Sequence, residues 1–123
     1  FKVLYQPQID IQSGEIIGYE ALIRLTNHKL SPMEFIPVAE EDGMIIAIGR
    51  LVTRIVVDQI GQWQQKGYTP KPVAINFSAA QIHDHEYISY LMDLLQANDV
   101  KPELIVIEIT ENVFLENKDT TIA

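Results

Sequence analysis

Val73-Ala74-Ile75-Asn76-Phe77, residues 73–77, is an apolar run with no alternation of apolar and polar positions. A strand of that kind is buried on both faces, as in a parallel sheet covered by helices. Leu104-Ile105-Val106-Ile107-Glu108-Ile109-Thr110 has the same character and reads as a second such strand. Between them Asp84 reads as the N-cap of a helix with Ile88, Leu91, Met92 and Leu95 on one face, ended by Asn98 and Pro102. Upstream, Ile45, Ile48, Val52, Ile55, Val56 and Trp63 follow the helical period. They predict a long helix from Met44 to Lys66, stopped by Gly67 and Pro70. Ser31-Pro32-Met33-Glu34 is a capping box with proline at the first helical position. It predicts a short helix to Glu41, broken by Asp42-Gly43, and Glu111 onward reads as the start of a further helix.

The chain opens differently. Residues 2–11 and 15–25 read as two strands around a Ser13-Gly14 turn, and so short a turn makes them antiparallel. After this hairpin the order is helix, strand, helix, strand, helix, which defines an α/β fold. A closed barrel of alternating strands and helices takes about 250 residues. The 123 residues here supply roughly half of one, as a single domain over residues 1–123. An independent open α/β sheet is the competing fold. The chain starts at Phe1 without an initiator methionine and ends on Thr120-Thr121-Ile122-Ala123, so a longer parent is expected.

Composition narrows the function. The chain is 47% hydrophobic and 21% charged, in the globular range. Seventeen acidic against nine basic residues give a net charge of -8, which argues against a long nucleic acid held on a basic surface. A small anion at a local site is still allowed. The absence of cysteine excludes disulfides, thiolate metal sites and thiol catalysis, and a cytoplasmic location fits it. No apolar run reaches the roughly 18 residues of a membrane span, so direct membrane contact by this segment is not expected. No stretch of this segment reads as a signal peptide, and a parent protein anchored in a membrane is compatible with that.

The chemical signal is a repeated anomaly. Three strands each carry one polar residue where burial is expected: Glu20 between Tyr19 and Ala21, Asn76 after Ile75, and Glu108 between Ile107 and Ile109. A carboxylate left buried and unpaired costs several kcal/mol. Asn76 and Glu108 fall towards the C-terminal ends of their strands, the end at which barrels place their active sites. Strand parity puts Gly18, Glu20, Leu22 and Arg24 on one face. Two carboxylates and an amide oxygen are hard ligands, suited to Mg²⁺, Mn²⁺ or Ca²⁺. The plain alternative pairs Glu20 with Arg24 and Glu108 with a distant lysine, and leaves Asn76 to cap backbone. Three such residues at matching strand ends favour the metal site. Arg24 has the fork to hold a phosphate, Gln6 lies on an edge strand marked by Pro7, and Glu111 stands where it would fix a loop or complement a helix dipole. His83-Asp84-His85 has no evident third ligand and is set aside as a metal site.

These residues sit in motifs that resemble the EAL-domain family. Tyr5-Gln6-Pro7 with Gly18-Tyr19-Glu20-Ala21-Leu22-Ile23-Arg24 is similar to the signature that names it. Phe35-Ile36-Pro37-Val38-Ala39-Glu40, Ile75-Asn76-Phe77-Ser78-Ala79-Ala80-Gln81 and Glu108-Ile109-Thr110-Glu111-Asn112 resemble its next three blocks, in family order. The resemblance implies the N-terminal half of a TIM-like (β/α) barrel whose first strand is antiparallel to the second. It implies hydrolysis of cyclic di-GMP to linear pGpG with Mg²⁺ or Mn²⁺, in second-messenger signalling. Glu20, Asn76 and Glu108 match metal-binding positions; Gln6, Leu22 and Arg24 match the substrate-binding side, with Arg24 towards phosphate. Glu111 matches the glutamate that steadies a loop over the site, and with Glu20 it makes up the catalytic pair. The family's Asp-Asp-Phe-Gly-Thr-Gly block, and a later lysine and glutamate, are not in this chain, so the chain alone is expected to be inactive. Sensory or cyclase domains in the parent, and a homodimer, are further expectations. Two rivals stand beside this reading: a regulatory domain that binds cyclic di-GMP or a protein without hydrolysis, and an unrelated metal-dependent barrel enzyme.

Overall fold

A computed structural model describes residues 2–24 and 44–109. The expected helix at Ser31, the block from Phe35 to Glu40, and Glu111 lie outside the described residues. Four strands form one sheet in the order β1 (Lys2–Ile9), β2 (Ile16–Arg24), β3 (Val73–Phe77) and β4 (Ile105–Ile109). β1 runs antiparallel to β2, while β2, β3 and β4 are mutually parallel. β1 ends at Ile9 rather than at residue 11 and β2 begins at Ile16 rather than at residue 15, while Leu25 lies outside the described residues. Asp10 closes the turn instead: its N–H donates to Glu15 O at 2.9 Å and its side chain accepts from Ser13 Oγ at 2.9 Å.

Two helices follow, α1 (Met44–Gln65) and α2 (Tyr87–Asn98). Each ends in a Schellman closure, in which a left-handed residue lets the last N–H groups turn back to orphan carbonyls. At α1 the residue is Gly67 (φ 85°), with Tyr68 N–H donating to Trp63 O at 3.0 Å. At α2 it is Asp99 (φ 54°), with Val100 N–H donating to Leu95 O at 2.9 Å.

Side-chain parity divides the sheet into two faces. Ala21, Val73, Ile75 and Phe77 face the helices and join Val52, Val56, Val57 and Ile60 of α1 in the core. Trp63 lies over Tyr5 and Tyr19, with ring centroids 5.3 and 5.7 Å away. The buried stripe of α2 is Tyr87, Leu91 and Leu95, not the expected Ile88-Leu91-Met92-Leu95 face. Ile88 and Met92 are 64% and 47% exposed among the described residues. Tyr87 draws the stripe around by one position, because its hydroxyl meets Thr53 Oγ1 at 2.6 Å inside the core and its ring packs edge-on against Phe77. Ile60 is fully buried at the centre. Ile60→Ala in the complete domain is expected to cost about 2–5 kcal/mol in a denaturant titration. A loss no larger than that of a surface substitution would mean that the core is not here.

Candidate functional site

The opposite face of the sheet carries the polar residues. Glu20 is in register with Gln6 of β1 and Ala74 of β3, and Asn76 is in register with Glu108 of β4. In-register neighbours project to the same side. Gln6, Glu20, Asn76 and Glu108 therefore form a row across all four strands, and Leu22 and Arg24 continue it along β2. Glu20 and Glu108 are half-buried and Asn76 is exposed among the described residues. The full burial expected from the apolar strands does not hold on this face, since no described element covers it.

The row is joined in one place by a hydrogen bond. Asn76 Nδ2 donates to Glu20 Oε1 at 3.1 Å, a diagonal contact between β3 and β2. The amide of Asn76 neither caps backbone nor stands free. Glu20 makes no ion pair with Arg24: the Arg24 guanidinium donates to the carbonyl of Ile23 at 2.8 Å. Among the described residues the salt bridges are Arg50–Asp84 and Arg54–Asp58. In-register Lys2 stands opposite Arg24, so two cations share one end of the face. Like charges placed opposite each other destabilise a strand pair unless an anion or solvent separates them. A cavity of about 360 Å³ opens beside Arg24, Leu22, Asn76 and Ser78, and its far wall is the apolar Ile45, Ile48, Val52 and Phe77.

Asp84 does not cap α2 as its sequence position suggests. α2 begins at Tyr87, and Asp84 instead ends a 3₁₀ turn, Ala79–His83. Its carboxylate accepts from Arg50 Nε at 2.8 Å and Nη2 at 2.7 Å, and its Oδ1 also accepts from the Glu86 N–H at 3.3 Å, ahead of the first residue of α2. That hydrogen-bonded guanidinium holds the Asp84 carboxyl below its ordinary value. A lowered pKa in the folded state adds stability above the unfolded value of about 4, and that stability is lost as pH falls through the folded pKa. Asp84→Asn is therefore expected to be less stable than the parent at neutral pH, with a gap that closes as pH drops below about 4. Thermal midpoints across that range check it, and a gap independent of pH would exclude the ion pair as its source.

His83 and His85 are exposed, and among the described residues no group of three or more His, Asp or Glu side chains gathers. The carboxylates of the row number two, with an amide between them. Tyr5 presents a further buried polar atom: its hydroxyl has no hydrogen-bond partner among the described residues, and burial pushes its pKa up to about 12. It lies on the helix side, away from the row. Sequence reasoning passed over Gln81, which is 5% exposed and lies just beyond Asn76. Its place in the Asn76–Gln81 block was the available signal.

A mixed sheet with a reversed first strand, an acidic and amide row on one face and helices on the other defines a class of α/β domain. The EAL domain family matches residues 1–123, and the chain belongs to it. The chain is 38% identical over 120 residues to the signaling protein YkoW of Bacillus subtilis (strain 168), covering 95% of this chain and 15% of that protein. It is 35% identical over 122 residues to the cyclic di-GMP phosphodiesterase PdeR of Escherichia coli (strain K12), covering 97% of this chain and 18% of that one. Among solved structures it is similar to the PaMucR phosphodiesterase in complex with c-di-GMP, at TM-score 0.85 and 28% identity, over 98% of this chain and 50% of that one. It also resembles the FimX EAL domain from Pseudomonas aeruginosa bound to c-di-GMP, at TM-score 0.80 and 26% identity, over 96% and 48%. The chain thus spans under a fifth of those two curated relatives and about half of those two solved chains. The α/β sheet with its antiparallel first strand is consistent with the start of a TIM-like barrel. No helix among the described residues is long and apolar enough to cross a membrane.

Proposed function

We propose that the complete domain hydrolyses cyclic di-GMP to linear pGpG and depends on Mg²⁺ or Mn²⁺. The observation that carries this reading is the row Gln6-Glu20-Asn76-Glu108 on one face of an EAL-family sheet, with Arg24 and Lys2 at its end. Glu20, Asn76 and Glu108 would hold the metal, because carboxylate and amide oxygens suit a hard divalent ion. The bond from Asn76 Nδ2 to Glu20 supports this, since it sets the amide so that Oδ1 is left as an acceptor. Bound there, the metal would polarise the phosphodiester and lower the pKa of water. Arg24 offers a planar fork to a phosphate oxygen, with Lys2 as a second positive charge in a chain of net charge -8. Leu22 and the cavity wall give apolar contact beside it, and Gln6 offers an amide to the ligand. Glu111, in the Glu108–Asn112 block, would steady a loop over the site.

The experiment is a turnover assay on a purified polypeptide that carries the whole EAL domain. Conversion of cyclic di-GMP to pGpG with Mn²⁺, abolished by a chelator and restored by added metal, is the expected result. Binding of cyclic di-GMP without any pGpG would overturn the enzymatic reading and leave a regulatory binding domain. A cytoplasmic location, fusion to sensory or cyclase domains and a homodimer belong to the same proposal for the parent.

A further inference from the structure

We propose that Gln81 is a positioning residue for Asn76, locked in place by Gly49 of α1. The inference rests on the metal-binding reading of Asn76 given above. Asn76 is the next-to-last residue of β3, and the chain leaves the sheet at Ser78. Gln81 holds that exit from both sides. Its Oε1 accepts from the Ser78 N–H at 2.8 Å, and its own N–H donates to Ser78 O at 3.1 Å. With Thr53, Gln81 is one of two buried polar side chains among the described residues, so its amide has no solvent to fall back on. A buried polar side chain of this kind is either fully bonded or costly.

Gly49 explains why the amide fits. A Cβ on Gly49 would stand 3.0 Å from Gln81 Cδ and would overlap Nε2. The groove left by the missing side chain is thus filled by the Gln81 amide. The next residue along α1 fixes the far end of the same turn, through the two-bond Arg50–Asp84 pair. Tyr90 secures Arg50 in turn: its hydroxyl donates to Arg50 O at 3.1 Å and its ring lies 5.2 Å from the guanidinium. Adjacent residues of one helix therefore clamp both ends of the turn that follows Asn76. Two residues before Ser78, the height of Asn76 against Glu20 and Glu108 is set by this clamp. Outer partners of a metal ligand act in this way, by fixing the ligand's orientation before the ion arrives.

The test measures Mn²⁺ affinity directly, by titration without substrate, in a polypeptide carrying the complete domain. Four variants are compared: Asn76→Ala, Gln81→Met, Gln81→Glu and Gly49→Ala. Asn76→Ala is expected to weaken Mn²⁺ by about 10–100-fold, and Gln81→Met by about 10-fold, although methionine fills the same space. Gln81→Glu keeps an oxygen for the Ser78 N–H and is expected to recover most of the loss. Gly49→Ala pushes on the same amide from α1 and is expected to weaken Mn²⁺ alongside Gln81→Met. Unchanged affinity in Asn76→Ala would overturn the metal reading itself. Weakened affinity in Asn76→Ala with normal affinity in Gln81→Met would overturn the role of Gln81 alone, as would a Gln81→Glu variant no better than Gln81→Met. Should Gln81→Met fail to fold, Gly49→Ala decides, and native Mn²⁺ affinity there counts against the proposal.

Discussion

Glu20→Ala in the complete domain is expected to lower turnover of cyclic di-GMP by about 10³-fold or more, with the circular dichroism spectrum unchanged. Glu20 occupies the centre of the row, in register with Gln6 on one side and bonded to Asn76 on the other. Removing its carboxylate takes away one of two negative charges proposed to hold the ion and leaves Asn76 Nδ2 without its acceptor. The fold is expected to survive because Glu20 lies on the face away from the core. Its neighbours Tyr19 and Ala21, not Glu20, pack against the helices. Formation of pGpG with Mn²⁺, measured beside the spectrum, separates the two effects. Turnover within a few-fold of the parent would remove Glu20 from the chemistry. A lost spectrum would show that Glu20 holds the sheet together instead.

The convergence of Glu20, Asn76 and Glu108 on one face was legible because a strand has a period of two and each residue sits in an apolar run that marks its strand. The antiparallel hairpin was legible from Ser13-Gly14, and the long helix from its period and its Gly67 stop. What escaped depends on contacts between distant positions. Asp84 has the residue type and location of an N-cap, and local grammar cannot see Arg50 thirty-four residues earlier. Ile88 and Met92 share a helical stripe with Leu91 and Leu95 as well as Tyr87 does, and the Thr53–Tyr87 bond chooses between them. Gln81 reads as an ordinary loop amide until Gly49 is seen to make room for it. The Asn76–Glu20 bond is similar. Parity places both on one face, but the diagonal register of β2 against β3 makes them touch.

Chain 1–123 prepared by itself is expected to show no phosphodiesterase turnover and to self-associate. Absence of turnover follows from the site's proposed completion by residues of the other half of the domain, as the chain spans 50% of the PaMucR structure it resembles. Association follows from the sheet. Its strand order leaves β1 and β4 as edges among the described residues, and the two differ. β1 carries Lys2 and Pro7, which discourage pairing with another chain. β4 is Ile105-Val106-Ile107-Glu108-Ile109, an apolar edge with one charge. On the open face β4 exposes Val106 at 43%, while Leu4, 42% exposed, lies on β1 at the far edge. An unpaired apolar edge recruits a further strand, from the rest of the domain when it is present and from a second copy when it is not. Light scattering over a range of concentrations, run with an Mn²⁺ turnover assay, checks both parts. Introducing a second charge at the edge, Val106→Lys, is expected to reduce the association. A monomer that persists at high concentration would defeat the association claim, and steady pGpG formation by this chain would show that the other half of the domain is not needed.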